Sequence, residues 1–210
     1  MVPYFNEASE LFITRDLISG DKYTVYAPVI EGGDASLGAL VNAAPKNDPY
    51  YAQIAAKYTA LPDHLEDKVY QDMRSMIADA ATPYEQACAI LRHLQRYYRY
   101  TLSPVTPPEN QDFVTYFLYV GKEGYCAYFA SAMTVLCRMV GLPARYVEGF
   151  VADVDASGQT VVTGTSAHAW TEIYFRGVGW VTFDATPWTS TQTASSAPNQ
   201  PDDLPTPSVS

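Results

Sequence analysis

The chain has 210 residues, 48% of them hydrophobic, and a formal net charge of −10. That is enough apolar material for a sizeable core in one domain, or in one domain plus a fragment. The acidic balance argues against nucleic-acid binding, which normally needs a basic face, and suits basic or neutral partners such as lysine-bearing proteins. No stretch approaches the roughly 18 apolar residues that a membrane-spanning helix requires. The opening MVPYFNEASE lacks the charged and apolar regions of a signal peptide.

Residues 11–30 read as a β-hairpin: LFIT is apolar, Ser19, Gly20 and Asp21 supply a turn, and Tyr23, Val25, Ala27 and Val29 alternate. A lone hairpin is marginal, so it is expected to dock on the main body or to be the remnant of a preceding domain. The abrupt opening of the chain favours the remnant. Residues 31–49, rich in Gly, Ala, Asp, Asn and Pro, read as loop. The expected division is a hairpin and loop over 1–49, the main domain over 50–188, and a Ser/Thr/Pro-rich flexible tail or linker over 189–210, which cannot bury apolar surface.

From Tyr50 the pattern turns helical. Residues 50–58 give one short helix and 63–79 another, with Asp63 as N-cap and Leu65, Val69, Met73, Met76 and Ile77 on one side. His64, in the first turn, reads as solvated. Thr82, Pro83 and Glu85 make a capping box with proline at the first helical position, and Ala87, Ile90, Leu91, Leu94 and Tyr98 form the buried stripe that follows. Cys88 and His93 fall beside that stripe. The segment 96–102, RYYRYTL, ends the helix and starts an extended stretch. Its mixture of aromatics and arginines reads as packing, because no wider basic stripe accompanies it. After a proline-rich loop at 103–111, Asp112 caps a short helix from Phe113 to Tyr119.

The first candidate for chemistry lies in 124–141. Phe129, Met133, Leu136 and Val140 fall on one helical face, and Gly141, Leu142 and Pro143 stop the helix. Cys126 opens it, where unpaired N–H groups and the positive end of the helix dipole favour a thiolate. Cysteines so placed have pKa values of roughly 3.5–7.5, against about 8.5 when free. A small buried hydrophobe is the alternative reading. Tyr116, Tyr119, Tyr125 and Tyr128 crowd the approach, and core and groove-lining roles both suit them. Of the three cysteines, Cys126 and Cys137 lie roughly 16 Å apart along one helix and cannot bridge. Cys88 could meet Cys137 only through tertiary packing, so no disulfide framework is evident and the redox compartment stays open.

After this helix Arg145–Val151 reads as a strand, Asp155, Ser157 and Gly158 as a turn, and Thr160–Thr163 as the return. Asp153 and Asp155 lack the other oxygen ligands of a calcium loop and read as solvated turn residues. Residues 166–175 and 180–184 read as two strands around Arg176, Gly177, Val178 and Gly179. His168, Trp170, Glu172 and Tyr174 share one face, and so do Trp180, Thr182 and Asp184. A loop of odd length centred on Gly177 would place Asp184 opposite Trp170 and diagonal to His168, about 7–8 Å away at Cα and within reach of a hydrogen bond. A two-residue loop would put them on opposite faces, but two glycines flanking one residue fit three residues or more. Cys, His and Asp are the set needed for nucleophilic acyl transfer. A metal site is not expected, since no CxxC, second nearby His or HExxH is present.

Three motifs carry a family resemblance: Gly124-Tyr125-Cys126 opening a helix, Gly141-Leu142-Pro143-Ala144-Arg145 running into Tyr146–Phe150, and His168-Ala169-Trp170 followed by Asp184. In order and spacing they resemble the core of the transglutaminase-like superfamily, a group related in fold to papain-like cysteine proteases. The resemblance is close over 124–187 and looser over 83–123. It implies Cys126 as nucleophile, His168 as base and Asp184 as orienter, and leaves the oxyanion side chain unidentified. Tyr125 and Trp170 are the candidate substrate-binding residues. The expected fold is α+β, a helical first half and a central helix bearing the nucleophile, packed on an antiparallel sheet. The expected reaction is attack on a protein or peptide amide such as a glutamine side chain, with an amine, for instance lysine, or water resolving the thioester, and with no cofactor. A non-catalytic binding or scaffold module on this fold is the alternative. The pattern also resembles bacterial proteins whose domain sits outside the cytoplasm between membrane spans, so membrane attachment is expected only through flanking segments.

Overall fold

The computed structural model describes residues 4–5, 11–16, 18–24, 30–63, 65–152 and 154–187. Two paired dipeptides come first, β1 (Tyr4–Phe5) and β2 (Leu11–Phe12). Helices α1 (Ala35–Ala43), α2 (Tyr51–Tyr58), α3 (Asp67–Met76) and α4 (Pro83–Tyr97) follow. Next come β3 (Arg99–Tyr100), α5 (Phe113–Tyr116) running into a π-helical turn at Phe117–Gly121, and β4 (Glu123–Gly124), which leads into α6 (Cys126–Met139). The chain closes with an antiparallel sheet of β5 (Ala144–Phe150), β6 (Ala167–Phe175) and β7 (Gly179–Phe183), in the order β5-β6-β7. The fold is α+β, with a helical first half packed on this sheet. Among the described residues no helix is long and apolar enough to cross a membrane.

Local chemistry accounts for the two helices that matter most. At the start of α4, Thr82 Oγ1 accepts from the Glu85 N–H (3.3 Å) while the Glu85 carboxylate accepts from the Thr82 N–H (2.9 Å), a reciprocal cap. Ala87, Ile90, Leu91 and Leu94 then bury one face, with Cys88 beside them. α6 lies between α4 and the sheet, with Phe129, Met133 and Leu136 in the centre of the core. It ends where Gly141 takes a φ of +78° and the N–H groups of Gly141 and Leu142 return to the carbonyls of Arg138 and Cys137 (both 3.0 Å).

A pair of buried hydroxyls pins α6 to β6. Thr134 donates to Thr171 (3.0 Å), and Thr171 donates to the Ala130 carbonyl (2.9 Å). The opposite face of the sheet is covered by aromatics and one ion pair: Tyr58 meets Trp180 edge-on, and Arg145 lies over that indole while bonding Glu172 (2.6 Å).

Three expectations are corrected. Residues 31–49 are not all loop: Asp34 accepts from the Ser36 N–H (2.7 Å) and starts α1, and Gly38 lets that helix lie against the Tyr84 ring. The segment before it also joins the body, since the Ile30 carbonyl accepts from Thr182 (2.8 Å) and the Gly32 N–H returns to the Thr182 carbonyl (2.6 Å). The helix expected over 63–79 starts at Asp67, because its buried residues begin only at Val69; Glu66 stands at its N-cap and Asp63 lies in a turn. Thr160–Thr163 form no strand. The Asp155–Gly158 turn is present, but Val161 and Val162 stay exposed with no surface to cover. Leu11–Phe12 also pair with Tyr4–Phe5; residues 25–29, the return strand of the expected hairpin, lie outside the described residues, as do His64, Asp153 and 188–210.

Replacing Thr171 by valine removes the acceptor for Thr134 and the donor for Ala130 inside the core. We expect a loss of about 1–3 kcal/mol, read as a lower midpoint in urea unfolding.

Candidate active site

The register of the last hairpin positions the first two groups. Phe175 pairs with Gly179, leaving Arg176, Gly177 and Val178 as the loop, and Thr171 faces Phe183. Continuing that ladder by one residue sets Asp184 opposite Trp170. Gly177 takes a φ of +72° and lies against the Pro45 carbonyl, so this loop has no room for a side chain at its centre. The outcome is a hydrogen bond of 2.7 Å between His168 Nε2 and Asp184 Oδ2. Asp184 is a turn residue as well as the partner of histidine, because its Oδ1 accepts from the Thr186 N–H (2.9 Å). Gln95, from α4, donates to the Asp184 carbonyl (3.0 Å). The His168 side chain is 10% exposed and that of Asp184 is 46% exposed, so the pair opens to solvent on its carboxylate side.

Cys126 enters from the other direction. Gly124 packs so closely on the Tyr128 ring that a Cβ there would lie 2.3 Å from it, and Tyr125 precedes the helix with no side-chain cap. The Tyr128 N–H returns to the Tyr125 carbonyl (2.8 Å), and of the first turn the Ala127 N–H is left to the thiol. The sulfur faces the His168 ring and the N–H groups of Ala169 and Ala127. Burial pushes the Cys126 thiol up, but the hydrogen bond from His168 and those amides outweigh it and bring the thiol below its ordinary value. His168 is raised to about 10 by its hydrogen bond to Asp184, then by that to Cys126, against burial. Since Nε2 holds Asp184, Nδ1 is the nitrogen left for sulfur. Cys88 and Cys137 are both pushed up by burial. One thiol of three is therefore prepared to ionise.

The surroundings sort the remaining candidates. Tyr125 is exposed and stands edge-on to Tyr128 (5.0 Å) at the mouth of the site. Trp170 lies beside the His168 ring (6.4 Å between centroids) and over Gly149, which has no room for a side chain beneath it. Tyr116 and Tyr128 are core residues. Tyr100 is a residue that sequence reasoning left among the packing aromatics. Its partner in the parallel β3–β4 pair is Gly124, two residues before the cysteine. Its phenol oxygen meets the Cys126 N–H and lies in the field of both Cys126 and Asp184. Burial, then those charges, push this phenol up, which keeps it a donor. Asp155 is taken up by its own turn, accepting from Ser157 (2.8 Å) and Gln159 (3.2 Å) N–H groups.

With a cysteine at a helix start, a histidine and an aspartate brought together on an α+β frame, comparison with known proteins gives the family. The model of the transglutaminase-like superfamily matches residues 71–185, more than half of the chain, and the chain belongs to that superfamily. It is 36% identical over 149 residues to an uncharacterized protein, YebA, of Bacillus subtilis (strain 168), covering 67% of this chain and 20% of that one. It is 34% identical over 109 residues to a protein-glutamine gamma-glutamyltransferase of Pseudomonas aeruginosa, covering 50% of this chain and 16% of that protein. Among solved structures it is similar to the periplasmic domain of TgpA from Pseudomonas aeruginosa, with a TM-score of 0.56 and 28% identity over 64% of this chain and 47% of that one. The chain spans a fifth or less of the curated relatives it matches.

Asparagine at Asp184 removes the charge that raises His168. The imidazole should then titrate well below its value of about 10, toward the ordinary histidine range, as followed by its ring-proton NMR signals. A titration unchanged by Asp184→Asn would remove the carboxylate from this account. The sign for stability follows: the His168 contribution is full below the reference value of 6.5 and is lost as pH rises toward about 10.

Proposed function

We propose that the protein catalyses acyl transfer from a protein or peptide carboxamide through a thioester on Cys126. The observation that carries this reading is the Cys126–His168–Asp184 constellation, in which one thiol is lowered while its histidine partner is raised. The Cys126 thiolate attacks the carboxamide carbon and forms a C–S bond. As the C–N bond breaks, the His168 imidazolium gives its proton to the leaving nitrogen, which departs as ammonia or an amine. His168, now neutral, takes a proton from the incoming amine or water as it attacks the thioester, and the thiolate leaves to restore the starting pair. Asp184 holds the ring's orientation through both steps and stabilises the imidazolium at the start and the end. Amine as acceptor makes a cross-link; water makes a deamidase or an amide hydrolase. The name of the Pseudomonas relative supports glutamine as donor, and the likeness to a periplasmic domain supports a place outside the cytoplasm.

Developing negative charge on the carbonyl oxygen needs donors placed in advance. In this reading the Tyr100 hydroxyl, which takes the Cys126 N–H and keeps its own proton to give, is such a donor, with Trp170 shielding the imidazole from water. A peptide with a glutamine side chain, incubated with a labelled amine, should release ammonia and take up label. Cys126→Ala should abolish both, and activity that persists in that variant would overturn the reading. Tyr100→Phe should lower kcat by roughly 100-fold with little change in KM; an unchanged kcat would remove Tyr100 from the oxyanion site.

A further inference from the structure

The ladder between β5 and β6 leaves one side of β5 open. The Tyr174 N–H bonds the Pro143 carbonyl (2.8 Å) at one end and the Val151 N–H bonds the Ser166 carbonyl (2.9 Å) at the other. Antiparallel pairing alternates, so Arg145, Val147 and Gly149, opposite Glu172, Trp170 and His168, spend their main-chain groups on β6. The main-chain groups of Tyr146, Glu148 and Phe150 point away from the sheet. Ala144 confirms that direction, because its carbonyl meets Arg138 Nε from outside the sheet (2.9 Å). Among the described residues no partner takes the outward groups of Tyr146, Glu148 or Phe150.

The side chains of these three residues share the sheet face that α6 covers, the face of the nucleophile. α6 is pinned to β6 and leaves them uncovered, Tyr146 at 36% and Phe150 at 60% exposure. Tyr146 lies in the field of Cys126 and Tyr125, and its hydroxyl donates to Glu148 Oε1 (2.5 Å). The second Glu148 oxygen has no cation beside it among the described residues. An exposed edge strand is a template for another chain, and proteins normally block one that serves no purpose. This one carries one carboxylate between Tyr146 and Phe150 and has Tyr146 in the field of the cysteine.

We propose that the β5 edge docks an extended, basic segment of the polypeptide substrate as an added antiparallel strand, with a lysine or arginine side chain on Glu148. The net charge of −10 favours the same partner at longer range. Pairing sets which amides matter. A residue opposite Glu148 shares its face and exchanges both main-chain bonds with it, so the basic residues of the segment supply the paired N–H groups and the residues between them do not. Only the word substrate rests on the acyl-transfer reading.

The test uses the Cys126→Ala protein, so that binding is read without turnover. The probe is a fluorescein-labelled peptide of alternating lysine and valine, followed by anisotropy. It should bind, N-methylation at every lysine amide should abolish binding, and N-methylation at every valine amide should leave it. The alternating glutamate and valine counterpart should fail to bind, and Glu148→Lys should weaken the lysine peptide by roughly tenfold or more, the value of one charge-assisted contact. Absence of binding, equal binding of the two N-methylated peptides, or equal binding of the acidic peptide would each overturn the proposal. Edge binding with no amine incorporation, ammonia release or amide cleavage by the Cys126 protein would sink the acyl-transfer reading alone, and turnover without edge binding would sink the docking alone.

Discussion

Between Cys126 and His168 the local fields outweigh burial. The thiol sits where removal from water works against its charge, yet the imidazolium, the Ala169 and Ala127 amides and the start of α6 together bring it below an ordinary thiol. The imidazolium in turn persists because Asp184 bonds its far nitrogen. The arrangement needs three elements held in one geometry: a helix start, the beginning of a strand, and the residue just past the next strand. Each sits at an end, where the chain has main-chain groups or side chains to spare.

Most of the surrounding architecture can be read as holding those ends in place. The buried Thr134–Thr171 pair ties α6 to β6, and so ties Cys126 to the strand that carries His168. The three-residue loop around Gly177, lying against Pro45, sets the register that delivers Asp184. Asp48 accepts from the Tyr174 hydroxyl (2.9 Å) and the Gly177 N–H (3.2 Å), so the segment before α2 clamps the same loop. Gln95 from α4 secures the Asp184 main chain. The contrast with Cys88 and Cys137 isolates what matters, since burial without those partners raises a thiol.

The parts legible in the sequence were those set by local pattern. The capping box at Thr82 and Glu85, the four-residue face of α6 and its glycine stop are short-range features, and they appear where they were expected. The parity of the hairpin loop also puts His168 and Asp184 on one face, because strand geometry repeats every two residues, and the two are hydrogen-bonded there. What escaped depended on distant partners. α1 hides in a Gly- and Asn-rich stretch and is held by the Tyr84 ring, whose hydroxyl also bonds the Asp34 carbonyl (2.8 Å). Gln95 acts on a residue far along the chain, with no periodic signal to mark it. Tyr100 reaches the site only through the parallel β3–β4 pair, which nothing in RYYRYTL announces.

The most direct measurement of the central claim is the rate of iodoacetamide alkylation at each cysteine as a function of pH, resolved by mass spectrometry, on the natural protein and on His168→Ala. Cys88 and Cys137, both raised by burial, stand as internal references. The account predicts that Cys126 alone reacts fast well below the ordinary thiol range, and that loss of His168 moves its profile upward. A Cys126 that follows the other two, or a profile indifferent to His168, would contradict it.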